Sequence, residues 1–130
     1  MAKAKLGVIG GSGLGDALCA GVGGERRQVD TPFGEPSDEI IETSWGQVDI
    51  AILNRHGPGH RTAPSHVNYR ANVYALKALG CSHVIASGAV GSLREEIAPR
   101  HLVIPDQVID KTYRREPTFF GDDLAVHVEL

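Results

Sequence analysis

The sequence lacks the features that would connect it to a membrane or to nucleic acid. Its formal net charge is −3, and no stripe of basic residues runs along it. The N-terminal residues contain no long apolar stretch typical of a signal peptide, and no apolar run approaches the ~20 residues of a membrane span. We therefore expect a cytoplasmic protein that binds neither nucleic acid nor a membrane.

Cysteine is also scarce, because Cys19 and Cys81 are the only two and lie far apart in the chain. We expect both to be structural thiols in a reducing cytosol rather than partners in a disulfide. The sequence has no internal repeat and no low-complexity segment. Its 130 residues, 42% hydrophobic and 22% charged, have the length and composition of at most one small globular domain.

The most informative stretch is the glycine-rich run Leu6-Gly-Val-Ile-Gly-Gly-Ser-Gly-Leu-Gly15. Residues 6–9 predict a strand that is buried on both faces, and the glycines after it allow positive φ and leave no Cβ in the way of a ligand. Backbone N–H groups in such a turn form an anion-binding concavity, to which Ser12 adds a hydroxyl donor. We interpret this stretch as a phosphate site at the carboxyl end of the first strand. A structural turn without a ligand is the alternative, and a P-loop is excluded because no Gly-Lys-Ser/Thr follows.

The hydrophobic pattern of the remaining chain predicts an alternation of strands and helices. A loop with two prolines is expected at residues 30–37, and a hairpin is expected around Ser44-Trp45-Gly46. The predicted elements are helical turns at 16–21 and 94–97, strands at 26–29, 39–43, 47–53, 81–87 and 102–105, a helix from 64 through 79, and an alternating segment at 124–130.

A second donor-rich loop, Asn54-Arg-His-Gly-Pro-Gly-His60, follows the strand at 47–53. Arg55 offers a planar fork of donors suited to phosphate, while His56 and His60 donate hydrogen bonds or carry charge near neutral pH. We interpret the loop as part of an oxyanion site. In the alternative interpretation, Arg55 pairs with a surface carboxylate and both histidines are exposed. A metal site is disfavoured, because no cysteine or carboxylate accompanies the histidines at a usable spacing.

A third loop of small residues, beginning with Ser87, Gly88 and Ala89, follows the strand at 81–87. The hydroxyl of Ser87 and the backbone N–H groups of its neighbours are further donors. Convergence of three such loops on one anion predicts a site for inorganic phosphate. A phosphate held in this way serves as a nucleophile through positioning and electrostatics, without a metal, a cofactor or a covalent intermediate.

Several stretches together resemble the N-terminal half of the 5′-methylthioadenosine phosphorylases, in the trimeric purine nucleoside phosphorylase superfamily. The resemblance implies a three-layer α/β/α fold around a mixed, partly barrel-like sheet, here truncated, with residues 1–130 as the N-terminal part of a single domain. It also implies assembly as a homotrimer. The matching stretches are Gly7-Val-Ile-Gly-Gly-Ser-Gly-Leu14, Val29-Asp-Thr-Pro-Phe-Gly-Glu-Pro-Ser-Asp38, Arg55-His-Gly57, Pro64-Ser-His-Val-Asn-Tyr-Arg-Ala-Asn72 and Gly91-Ser-Leu-Arg-Glu-Glu96.

The activity that the resemblance implies is phosphorolysis of a purine nucleoside, such as 5′-methylthioadenosine or methylthioinosine. Inorganic phosphate is the co-substrate, the products are a free purine and a (5-methylthio)ribose 1-phosphate, and no cofactor or metal is implied. By matching position, Ser12 is the expected hydroxyl donor to phosphate, Arg55 and His56 are its main side-chain contacts, and Ala89 supplies a backbone N–H. His127 matches a family histidine that reaches the 5′-substituent pocket of the neighbouring subunit.

The chain departs from the family in one residue of this site and in its length. Gly88 stands where many members have Thr or Asn, so one side-chain donor is lost, and Ser87 is the candidate to replace it. Family members are substantially longer, and their remaining half would hold the acid that recognises the purine, the ribose contacts and the last phosphate donor. We therefore assign no catalytic residue. A catalytically inactive half-domain, or a phosphate-binding or assembly module that needs a second chain, is the alternative function.

Overall fold

The computed structural model describes residues 4–11, 13–21, 23–121 and 124–127. Within these ranges, all helices and strands lie before residue 87. The elements are β1 (Lys5–Gly10), α1 (Leu14–Gly21), β2 (Glu25–Arg27), β3 (Ile40–Trp45), β4 (Val48–Asn54), a 3-10 turn at Pro58–His60, a second 3-10 turn at Pro64–His66, α2 (Tyr69–Ala78) and β5 (His83–Ala86).

The five strands form one mixed sheet in the order β2-β3-β4-β1-β5. β1 pairs in parallel with β4 on one side and with β5 on the other, whereas β2, β3 and β4 pair in antiparallel fashion. Ile9 lies level with Leu53 of β4 and with Ala86 of β5. The loops that follow these three parallel strands therefore leave the same edge of the sheet side by side.

The two helices cover opposite faces of the sheet, because alternate residues of a strand point to opposite sides. On one face, Ile50 and Ile52 of β4 pack with Leu18 of α1. On the other face, Leu53 packs with Leu76 of α2. This arrangement, with helices on both sides of a mixed sheet, confirms the predicted α/β fold. In the described part of the chain, no helix is long and apolar enough to cross a membrane.

Two asparagines of the α2 region hold the proline-containing loop at residues 30–37. Asn68 accepts the N–H of Ala71 at 3.1 Å and donates to the carbonyl oxygen of Phe33 at 2.7 Å. Asn72, which is 1% exposed, accepts the N–H of Ser37 and donates to its hydroxyl. Each amide therefore satisfies backbone groups of the loop, which explains how a loop without regular structure is fixed against the helix.

The predicted helix 64–79 begins later than expected, because Asn68 caps α2 and Val67 before it has an extended backbone. α1 starts at Leu14, two residues before the predicted turn. The hairpin is confirmed, and its turn lies at Gly46-Gln47, where Gly46 has a positive φ of 57°. The strands predicted at 26–29 and 81–87 are both shorter, at Glu25–Arg27 and His83–Ala86.

The strand predicted in the last third of the chain is wrong. Residues 102–105 form no strand: the side chains of Leu102 and Ile104 are 99% and 95% exposed, and no described strand pairs with them. The single turn predicted at 94–97 is present, because the N–H of Ile97 donates to the carbonyl oxygen of Arg94. The alternating segment at 124–130 extends beyond the described residues, and its described part, 124–127, has no regular secondary structure. The apolar patterns are real, but a strand or helix forms only where packing and hydrogen-bond partners are present. Cys19 and Cys81 are free thiols, as predicted.

Candidate functional site

The loops after β1, β4 and β5 are joined directly by hydrogen bonds. The N–H of Gly11 donates to the hydroxyl oxygen of Ser87 at 3.0 Å, and Arg55 Nη1 donates to the carbonyl oxygen of Ser87 at 2.8 Å. The backbone N–H groups of Arg55 and Ser87 also donate to carbonyl oxygens of Gly10 and Ile9. The structure therefore brings together Arg55 and Ser87, two of the residues predicted for the phosphate site.

The guanidinium of Arg55 is half-buried and is held from two sides. Its Nε donates to Nε2 of His56 at 3.3 Å, and its Nη1 donates to Ser87. Among the residues that the structure describes, Arg55 forms no ion pair with a carboxylate. Both of its side-chain hydrogen bonds there are made by Nε and Nη1, and Nη2 donates to no described residue. The positive charge of Arg55 and the N–H groups of its Nη2 are therefore available to bind an anion.

The His56 ring is buried, with 8% of the residue exposed, so it differs from the exposed histidine of the alternative interpretation. Its Nδ1 lies 2.8 Å from the carbonyl oxygen of Thr62, and a carbonyl only accepts, so Nδ1 carries the hydrogen. Nε2 is then the acceptor for Arg55. The His60 ring is tilted against it at 4.4 Å, from a residue with a positive φ of 58°.

Close backbone packing explains the glycines of the first loop better than positive φ does. Of Gly10, Gly11 and Gly13, only Gly13 has a positive φ, at 81°. A Cβ on Gly11 would lie 2.6 Å from the carbonyl oxygen of Ser87 and 2.8 Å from Arg55 Nη2. A side chain at Gly11 would therefore push the loop after β5 away. Gly15 lies in the first turn of α1 and packs against Asn54, so a Cβ there would displace the Asn54 side chain.

Two supporting residues were missed by the sequence analysis. Asn54, at the end of β4, donates through Nδ2 to Asp16 of α1 at 3.4 Å and to Asp38 at 3.3 Å. Thr62 fixes the ring of His56 through its backbone carbonyl. The position of Asn54 at a strand end was a usable signal for its role, whereas a backbone contact such as that of Thr62 leaves no trace in the side-chain pattern.

Within the described part of the chain, the structure shows no comparable contacts for the other residues predicted for the phosphate site. Ser12 lies outside the described residues. Gly88 and Ala89 are exposed, and a Cβ on Gly88 would meet nothing within 4 Å. His127 is exposed and lies outside regular secondary structure. In the described ranges, no group of three or more histidine, cysteine, aspartate or glutamate residues is placed to hold a metal ion.

The fold and the site define an α/β protein that presents backbone and side-chain donors at the carboxyl ends of parallel strands. A family model described as the phosphorylase superfamily matches residues 5–130. The chain therefore belongs to the phosphorylase superfamily, which confirms the resemblance predicted from its motifs.

Three known proteins that are similar to this chain are named as methylthioadenosine phosphorylases. S-methyl-5′-thioadenosine phosphorylases from Anopheles gambiae and Geobacter sulfurreducens are 53% and 50% identical to it, over 95% and 96% of this chain. The structure of methylthioadenosine phosphorylase from Schistosoma mansoni in complex with tubercidin matches with a TM-score of 0.86 and 51% identity, over 92% of this chain. The chain spans only 45% and 44% of the length of the two relatives, and 42% of that structure.

Proposed function

We propose that this chain supplies the phosphate-binding half of a purine nucleoside phosphorylase that acts on 5′-methylthioadenosine or a related nucleoside such as methylthioinosine. The observation that carries the proposal is the meeting of Gly11, Arg55 and Ser87 at one edge of the sheet, with the charge of Arg55 unpaired among the described residues. The names of the relatives supply the substrate class.

In this proposal the donors hold inorganic phosphate and present it as the nucleophile. Arg55 Nη2 donates to one phosphate oxygen, and the hydroxyl hydrogen of Ser87, whose oxygen already accepts from Gly11, donates to another. Ser12 and the backbone N–H of Ala89 complete the set. The space beside Gly88, which precedes Ala89, is open. Charge-assisted hydrogen bonds of this kind are short and strong, so they fix both position and orientation.

The chemical step exchanges one bond at C1′ of the ribose for another. A phosphate oxygen forms a bond to C1′ while the bond from C1′ to the purine nitrogen breaks, and its electron pair leaves with the purine. The products are the free purine and (5-methylthio)ribose 1-phosphate, with no cofactor beyond phosphate as co-substrate. No described residue is assigned as the proton donor for the leaving purine.

His56 acts in the proposal first as a positioning residue. With its hydrogen on Nδ1 bound to Thr62, the ring accepts from Arg55 and fixes the direction of the guanidinium. Direct contact of the His56 ring with phosphate, which the family resemblance implies, remains a prediction.

The assembly of the protein belongs to the same proposal. Residues 1–130 form the N-terminal part of a single domain, the protein assembles as a homotrimer, and His127 reaches the 5′-substituent pocket of a neighbouring subunit. The second candidate is a catalytically inactive half-domain, or a phosphate-binding or assembly module that needs a second chain.

The test is phosphorolysis measured with and without a second chain. The purified protein is incubated with phosphate and methylthioadenosine or methylthioinosine, alone or with the C-terminal part of the Schistosoma mansoni enzyme, and purine release is followed. Phosphate-dependent release in either arm, lost in Arg55→Gln, supports the enzyme. Phosphate binding by calorimetry without release in either arm supports the module. Neither binding nor release rejects both.

A further inference from the structure

A second cleft, which we call the basic cleft, lies between the start of α2 and the segment 111–115. Its volume is about 470 Å³, which falls within the range of about 300–1,000 Å³ typical of small-molecule sites. It shares no residue with the candidate phosphate site. The residues that line it are Pro64, Ser65, Tyr69, Lys111, Thr112, Tyr113, Arg114 and Arg115.

The lining of the basic cleft is unusually positive for this chain. Lys111, Arg114 and Arg115 face it, and none of its lining residues is acidic. Within the described ranges these three cations form no ion pair, whereas Lys5 and Arg27 both pair with carboxylates. Hydrogen bonds from Thr112 and also the charge of Arg115 lower the pKa of the Asp110 carboxyl, so part of the Arg115 charge acts on Asp110. Three cations beside one nearby carboxylate still create a local positive potential that attracts an anion.

Arg115 is held in place by contacts that leave the outer edge of its guanidinium available. Its Nε donates to the hydroxyl of Thr112 at 3.0 Å, and Thr112 in turn donates to Asp110 at 2.6 Å. Its guanidinium lies 4.3 Å over the ring of Tyr69, so it is stacked on the wall of the cleft. A guanidinium fixed in this way loses little further entropy when its terminal nitrogens bind a phosphate.

The walls of the basic cleft add flat, mostly apolar surface next to these charges. The hydroxyl of Tyr69 donates to the carbonyl oxygen of Pro64 at 3.2 Å, which fixes the ring against the 3-10 turn. Tyr113 lies on the other side of the lining, with Arg114 5.5 Å over its ring. Aromatic and proline surfaces of this kind stack against a planar ring, and the adjacent cations suit an attached phosphate.

We propose that the basic cleft binds a nucleoside monophosphate, with the phosphate on Arg115, Arg114 and Lys111 and the base against Tyr69 and Tyr113. This ligand differs from the substrates of the proposed reaction, because a nucleoside is uncharged and inorganic phosphate has no ring. The basic cleft is therefore a site separate from the one at Arg55, and the two are testable independently.

The test is a calorimetric titration of the full chain at low ionic strength with three probes: AMP, adenosine and inorganic phosphate. AMP is expected to bind more tightly than either of the others. The double variant Lys111→Gln/Arg114→Gln is expected to weaken AMP binding by about 10-fold or more, the loss expected for charge-assisted contacts. Arg115→Gln is expected to do the same. Arg100→Gln is the matched control and is expected to leave AMP binding unchanged. Arg55→Gln is a separate arm, which shows whether any AMP binds at the candidate phosphate site.

The outcomes separate this proposal from the proposed function. The double variant removes side chains with few contacts, so it tests the basic cleft even if Arg115→Gln disturbs the segment. AMP binding that is no tighter than phosphate binding, or that persists in the double variant, overturns the proposal. AMP binding lost only in Arg55→Gln assigns the ligand to the other site and also overturns it. Phosphate binding that depends on Arg55, without AMP binding, rejects the basic cleft and leaves the proposed function standing.

Discussion

Arg55 reaches across the end of the central strand to Ser87, and its Nη1 donates a 2.8 Å hydrogen bond to the carbonyl oxygen of that residue. β1 lies between β4 and β5, so the arginine side chain passes over the loop that follows β1. Gly11 makes this passage possible, because a Cβ there would lie 2.8 Å from Arg55 Nη2. The three loops therefore form one unit, and a change in any of them is expected to disturb the others.

Gly11→Ala tests this unit most directly. The added Cβ meets backbone of Ser87 at 2.6 Å, which is not a flexible neighbour, so the loops have to separate. We expect phosphate affinity, measured by calorimetry, to fall by at least about 10-fold, the equivalent of one lost charge-assisted contact. Gly88→Ala is the control, since a Cβ there meets nothing within 4 Å. Equal effects from both variants would contradict this account.

Ser87→Ala removes the hydroxyl that accepts the N–H of Gly11. We expect the free energy of unfolding to fall by about 1 kcal/mol, as for a typical hydrogen bond that loses one partner, with a weaker affinity for phosphate. Urea denaturation and phosphate titration measure the two effects. Ser87→Thr keeps the hydroxyl and is expected to retain both properties. If Ser87→Thr is as impaired as Ser87→Ala, the hydroxyl is not the cause.

Arg55→Ala removes the arginine charge that the described residues place at the meeting point of the loops. In a reconstituted enzyme we expect the phosphate KM to rise strongly, because a charge-assisted hydrogen bond contributes about 1.5–3 kcal/mol, or roughly 10- to 150-fold in affinity. The measurement is the dependence of initial rate on phosphate concentration. Arg100→Ala, at an exposed arginine outside the site, is the control, and an unchanged phosphate dependence in Arg55→Ala would refute the assignment.

Gly88→Thr is expected to improve the site. The backbone there is not in the left-handed region, and the space beside it is open, so a side chain fits without strain. A hydroxyl at this position adds a donor, for which we expect phosphate affinity to rise by about 0.5–1.5 kcal/mol, or several-fold. Gly88→Val introduces a side chain of the same shape as threonine but without the hydroxyl, and it is expected to give no gain in phosphate affinity. A gain in both variants would point to backbone stiffening instead.

The stability of the fold is expected to depend on pH through Glu42. Its hydrogen bond to Lys5, with a further contribution from Arg27, lowers the pKa of this carboxyl from its ordinary value of 4.5. The charged form is therefore favoured by folding, and its stabilisation is full above pH 4.5 and is lost as the pH falls through the lowered pKa. Unfolding by urea at neutral and acidic pH measures this loss.

The matched variant for this pH dependence is Glu42→Gln. It has no charge to lose, so its free energy of unfolding is expected to be lower than that of the original chain at neutral pH. The difference between the two proteins is expected to shrink at acidic pH, where the original carboxyl is protonated. A difference that stays constant across the range would show that Glu42 stabilises the sheet without its charge.

Residues with strong local signals were placed correctly from the sequence. The glycine run after residues 6–9, the alternation of Val48, Ile50 and Ile52, and the apolar spacing of the helix before Gly80 all predicted elements that the structure contains. Arg55 and Ser87 were also predicted for one site, because loops after parallel strands emerge at one edge of a sheet.

The errors arose where structure depends on partners distant in sequence. Residues 102–105 have a strand-like composition, but the exposed side chains of Leu102 and Ile104 have nothing to pack against in the described chain. The start of α2 was misplaced because Pro64 is a common first helical residue, while the actual cap, Asn68, depends on its bonds to a loop at Phe33. Direct contact between Arg55 and Ser87 was likewise beyond any local pattern.

The position of β1 in the middle of the sheet has a consequence for how the chain folds. β3 and β4 are close in sequence and pair as a hairpin, so they can associate early. β1 is synthesised first, but it pairs with Ile50 of β4 and His83 of β5, far along the chain. β1 therefore completes its pairing only after β5 has been synthesised. We expect the loops around Gly11 to stay unformed on the ribosome until Ser87 has emerged.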